Sequence, residues 1–317
     1  MSIVIRKSLV EGQPLPGLGI KRSLLLCVLF YVVFIAVMVL EMIGCSLLLY
    51  PGPIPIDLYS LILLPLLLAW AVTIPVGLTS SGMLFREARF SFAFPWRIVP
   101  ALLVVSFGAA ILLVEMALWI PMPESLRRSM TSGSEQVPFL TMFIPMVILA
   151  PLAEEFFFRG LLLRDYLERY SIRKSVWATA IVFALFHLNP WQAAVALPLG
   201  LWFAWLVLRT GSLIPGVICH AVHNFSTAFV FKPLAIALGY TAKEWQAAVH
   251  LPPKLLAVGA VLAFGGGALL WRQLAGSNAV VIDTSGPITE ELDVLLVPDD
   301  SAQEIIGLDE FESASKT

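Results

Sequence analysis

Apolar stretches close to 20 residues long recur along the chain, separated by short polar segments. About 20 residues at about 1.5 Å of rise cross about 30 Å of hydrocarbon, so each stretch has the length of a membrane span. They lie near 24–49, 58–80, 98–120, 139–163, 175–188, 191–208, 212–231 and 255–274 and predict eight helices. The fifth is short, and Asn189-Pro190 interrupts the run 175–208, which reads either as two helices or as one strongly broken segment. The predicted fold is all-α, a polytopic membrane helix bundle of about eight transmembrane helices.

Composition agrees with this pattern. With 59% hydrophobic and 13% charged residues and a mean hydropathy of +0.88, an ordinary soluble enzyme is excluded. Arg6, Lys7, Lys21 and Arg22 precede an apolar run too long for a signal peptide, and no small-x-small cleavage site ends it, so it reads as a retained first span. Cys27, Cys45 and Cys219 all fall in apolar stretches without CxxC spacing, as buried free thiols do. The expected organisation is an N-terminal segment 1–23, a helical domain 24–274 and an acidic tail 275–317.

Charge divides unevenly between those parts. The last 41 residues hold ten acids and one lysine, and short apolar runs interleave with Asp, Glu and Ser, so the tail is expected to be disordered or to fold only against a partner. With the N-terminus in the cytoplasm, fourteen Lys and Arg outside the membrane fall on the inner side. Only Arg127, Arg128, Lys232, Lys243 and Lys254 fall outside. This bias predicts an integral protein of the plasma or inner membrane with both termini cytoplasmic.

Against that background, Glu154-Glu155-Phe156-Phe157-Phe158-Arg159 places three charges inside an apolar run. Each would cost about 2.5–3.5 kcal/mol at mid-membrane on insertion scales, which calls for compensation elsewhere in the chain. His187, His220 and His223 also lie in apolar runs, with Asn224 beside the last. At about 1.5 Å per residue, Glu154 falls roughly 8 Å from the cytoplasmic boundary, His220 about 12 Å, and His187 and Asn224 about 18 Å. These depths overlap in the cytoplasmic half, as they would around a water-accessible cavity. Glu41 and Glu115 approach the outer interface instead and read as interfacial or structural.

Spacing within the helices separates the two neighbouring carboxylates. Glu155 and Arg159 are four apart, on one face and in the favourable order for an ion pair. Glu154 is rotated by about 100° and has no such partner, which suits a general base. His220 and Asn224 are also four apart, both able to donate to a developing oxyanion, and Phe183 would stack beneath His187.

Together, Glu-Glu-x-x-x-Arg at 154–159, Phe-x-x-x-His at 183–187 and His-x-x-x-Asn at 220–224 resemble the three motifs of the CPBP family of intramembrane proteases, also called Abi or CAAX prenyl endopeptidase-like. The resemblance covers about residues 139–231 and implies an eight-helix peptidase with a cavity open to the cytoplasm. It further implies that Glu154 and His187 activate a water, that His220 and Asn224 form the oxyanion hole, and that Glu155 and Arg159 support the site. The partners it implies are membrane lipids and a hydrophobic or lipidated peptide or protein substrate. No nucleic acid is expected.

The expected mechanism is glutamic, without a cofactor. Zinc held by Glu154, His187 and His220 is the first rival, since two His and one Glu form a known catalytic set, although no HExxH helix is present. A non-catalytic scaffold or immunity-type binding protein of the same fold is the second. A transporter is the third, against which the chain shows no evident inverted repeat.

Overall fold

The computed structural model describes residues 3–6, 9–10, 13–14, 18–47, 60–80, 94–123, 139–241, 250–275 and 280–283. Among these, helices form where the apolar stretches predict them: α1 (Gly19–Leu47), α2 (Ser60–Ser80), α3 (Val99–Leu118), α4 (Phe139–Arg169), α5 (Ile172–Phe186), α6 (Pro190–Thr210), α7 (Ile214–Ala237) and α8 (Pro253–Leu274). Among the described residues, six of these regions are long and apolar enough to cross a membrane, and α5, with 15 residues, is shorter. The architecture is a polytopic helical bundle.

The interruption at Asn189-Pro190 separates two helices. Asn189 caps α6 by accepting from the Gln192 amide at 2.8 Å, and Pro190 opens the helix where its missing N–H costs nothing. Gly211, at φ 67°, ends α6 in the left-handed conformation that glycine adopts without a Cβ penalty. α5 and α6 form an antiparallel hairpin.

The bundle has two halves. On one side α1 and α2 pack against α4 and α5 through aromatic rings, with Phe30, Trp70, Phe157, Phe158, Phe183 and Phe186 all buried. On the other, α3 and α8 pack on each other and on α6 and α7. The approach of α3 to α8 is close enough that a Cβ on Gly108 would sit 2.3 Å from the Ala263 nitrogen, and one on Gly266 would sit 2.7 Å from the Val105 nitrogen. Small residues let membrane helices meet backbone to backbone, where van der Waals packing replaces the hydrophobic drive that lipid removes. Outward-facing side chains such as Leu25, Val261 and Phe264 are large, apolar and exposed, as a lipid solvent allows.

A buried acid ties the two ends of this arrangement together. Asp165 accepts from the Leu18 and Gly19 amides, at 3.1 and 3.0 Å, and from Arg169 at 3.1 Å. Those amides open α1 and would otherwise be orphaned, so a carboxylate at the end of α4 acts as the cap of the first helix. Glu115 does comparable work near the other end of the bundle: it accepts from the Leu251 amide at 2.8 Å and pairs with His250 at 2.9 Å. The structural reading of Glu115 thus agrees with its contacts, whereas the Glu41 side chain lies outside the described residues. Cys27 and Cys219 are buried free thiols; the Cys45 side chain is outside the described set.

Short strands accompany the bundle. β1 (Ile3–Arg6) pairs in parallel with β4 (Val280–Asp283), while β2 (Leu9–Val10) pairs antiparallel with β3 (Gln13–Pro14). β1 approaches α4 and β4 approaches α6. The rest of the acidic tail, 284–317, lies outside the described residues.

Candidate active site

The backbone of α4 prepares the site before any side chain is considered. Over Ile144–Leu149 the helix widens into a π turn, in which the Ala150 amide bonds to the Pro145 carbonyl five residues back. The next donor in that register would be residue 151, which is a proline, so the Met146 carbonyl loses its partner within the helix. Asn224 of α7 supplies the missing donor, its Nδ2 lying 2.8 Å from the Met146 oxygen. Further π turns, Phe156–Leu163 and Ser226–Val230, follow in α4 and α7. Such turns are frequent where helices carry function.

Glu155, Arg159 and His220 form a compact buried network. Arg159 Nη1 and His220 Nδ1 each lie 3.1 Å from Glu155 Oε1, and all three side chains are almost fully buried. Arg159 also donates from Nη2 to the Gly200 carbonyl at 3.2 Å, and its guanidinium lies 4.4 Å from the centre of the Phe183 ring. Gly216 makes room for the acid, since a Cβ there would meet Glu155 Oε2 at 3.2 Å. The expected ion pair between Glu155 and Arg159 is therefore present, and it is extended to His220 across 65 residues of sequence. Spacing within one helix carried no signal for that extension.

Glu154 occupies a different position. Its Oε2 is buried, makes no hydrogen bond among the described residues, and lies 3.8 Å from His220 Nε2. A desolvated carboxylate oxygen without a donor is costly, and such atoms cluster where chemistry uses them. The two adjacent carboxylates thus approach opposite nitrogens of one imidazole.

His187 closes α5 as its C-cap. Its Nδ1 lies 2.9 Å from the Phe183 carbonyl, which can only accept, so Nδ1 carries the proton and the neutral ring keeps its lone pair on Nε2. The Phe183 ring meets His187 edge-on at 5.0 Å, so the expected stacking is corrected to a T-shaped contact. The same ring faces His220 at 5.9 Å, and Phe183 therefore links both histidines to Arg159. His223 is buried, with its Nδ1 unbonded among the described residues.

All six expected site residues thus come from α4, α5 and α7, although their contacts differ from those that spacing suggests. Asn224 bonds to α4 backbone rather than standing free, with one N–H of its amide remaining. Among the described residues no three His, Cys, Asp or Glu side chains are grouped so as to hold a metal ion.

Neither the curated proteins nor the solved structures include a match. A family match exists, and it covers the segment holding every residue of the three motifs. Over residues 136–226 the chain matches the model of the type II CAAX prenyl endopeptidase Rce1-like family, in agreement with the resemblance read from the three motifs.

Proposed function

We propose that the chain is a glutamic intramembrane endopeptidase that hydrolyses a peptide bond of a hydrophobic or lipidated substrate. The observation that carries this reading is the contrast between neighbouring acids: each has one buried oxygen without a donor among the described residues, but Glu155 Oε1 is held by Arg159 and His220 at 3.1 Å, whereas Glu154 comes no nearer than 3.8 Å to His220 Nε2. A carboxylate so held is ready to take a proton from water.

The reaction follows from the groups at hand. Glu154 removes a proton from a water that His187 Nε2 orients, and the water oxygen bonds to the scissile carbonyl carbon. The resulting oxyanion is met by the remaining Asn224 N–H and by His220. Because Nδ1 of His220 already donates to Glu155, the ring donates to an oxyanion only with a second proton on Nε2. Glu155 supports that cation, and Arg159 holds Glu155 in place. Glu154 then passes its proton to the leaving amine as the C–N bond breaks. The lipid-facing exterior and the Lys/Arg bias support entry of substrate from the cytoplasmic leaflet, with both termini in the cytoplasm.

Comparing the C-termini of proteins in membranes that carry wild-type chain and Glu154→Ala tests this reading. New C-termini should appear only with the wild type. Identical C-termini in both, with the variant stably inserted, would favour the scaffold reading.

A further inference from the structure

The matched segment 136–226 leaves α1 outside the site. Between Ser23 and Glu41 the helix is apolar apart from the Cys27 thiol and the phenol of Tyr31. That phenol donates to the Phe186 carbonyl, 155 residues away.

Phe186 is the last residue of α5, and the final carbonyls of a helix have no partner within it. Each carbonyl near this end has a separate solution. The Ala184 oxygen accepts from the His187 amide at 3.2 Å, and the Leu185 oxygen from the Leu188 amide at 3.1 Å. His187 Nδ1 holds the Phe183 oxygen, and Asn189 Nδ2 holds that of His187. The Phe186 carbonyl, by contrast, is bound from a helix distant in sequence, by Tyr31 of α1. Leu188, immediately beyond, has φ 54°, a left-handed conformation that strains a residue with a bulky side chain. The turn carrying His187 is thus strained on one side and anchored on the other.

Tyr31 is also fixed as a ring. It packs against Phe186 at 5.2 Å and edge-on against Phe30 at 5.3 Å.

We propose that Tyr31 is a positioning residue of the active site, whose hydroxyl anchors the last turn of α5 and thereby fixes the orientation of the His187 ring. This rests on the endopeptidase reading for its effect on rate, but its effect on His187 does not depend on that reading. The first helix then contributes to the site as well as to the bundle.

The test uses full-length protein in nanodiscs with ¹⁵N-labelled histidine, comparing wild type with Tyr31→Phe, which keeps the ring and removes only the hydroxyl. His187→Gln identifies the His187 resonances. Wild type should show the single tautomer protonated at Nδ1, and Tyr31→Phe should show mixed or exchange-broadened tautomers. With a quenched fluorescent peptide ending in a farnesylated Cys-aliphatic-aliphatic-Met sequence as the probe, kcat should fall about tenfold to a hundredfold while KM stays within about twofold. An unchanged His187 spectrum in Tyr31→Phe overturns the proposal, whatever the rate does. If wild type leaves the probe uncut, the peptide reading is what fails, and the spectrum alone still decides the role of Tyr31.

Discussion

Removing Glu155 leaves Arg159 buried with its charge uncompensated and takes away the acceptor of His220 Nδ1. Breaking a buried ion pair from one side costs about 3–5 kcal/mol, so Glu155→Ala is expected to lower both unfolding stability and activity. Denaturant unfolding in micelles checks the first and cleavage of a lipidated peptide the second. Glu154→Gln has the opposite signature: it loses about 10²–10⁴-fold in rate while the midpoint of unfolding stays near that of wild type. The difference between neighbouring positions was legible in part from sequence alone. A four-residue offset pairs Glu155 with Arg159, and the one-residue rotation leaves Glu154 aside. The engagement of Glu155 with His220 was not legible, because the contact spans 65 residues and has no periodic trace.

Helix by helix, apolar length and the Asn189-Pro190 signal located the elements well, because both follow from local chemistry. The π turn in α4 was hidden, since no hydrophobic period distinguishes a five-residue hydrogen-bond register from a four-residue one over six positions. Its consequence is testable. Asn224→Ala leaves the part-buried Met146 carbonyl without its side-chain donor and is expected to cost about 1 kcal/mol. Pro151→Ala restores a backbone N–H to the register, so adding it to Asn224→Ala should recover part of that loss. A double-mutant cycle measured by denaturant unfolding reads the recovery directly, and strict additivity of the two substitutions would contradict the account of Asn224.

For the molecule as a whole, the described helices do two kinds of work. α4, α5 and α7 carry the motif side chains, while α3 and α8 form a tightly packed wall through glycines. Gly108→Val would force α3 from the Gly259 carbonyl and the Ala263 nitrogen, so thermal scanning should show a clear fall in the unfolding temperature. The bundle was readable because lipid demands long apolar helices and little else. The tethers that close it were not: Asp165 reaches Leu18 and Gly19 across 147 and 146 residues, and Tyr31 reaches Phe186 across 155. Such contacts depend on how helices are arranged in space, which hydropathy leaves open. The measurement that decides whether this arrangement is an enzyme compares purified wild type and Glu154→Gln in proteoliposomes on the farnesylated peptide, followed by mass spectrometry of the products. The account predicts one defined cleavage by wild type and about a hundredfold less, or none, by a folded Glu154→Gln. Equal cleavage by both proteins would contradict it.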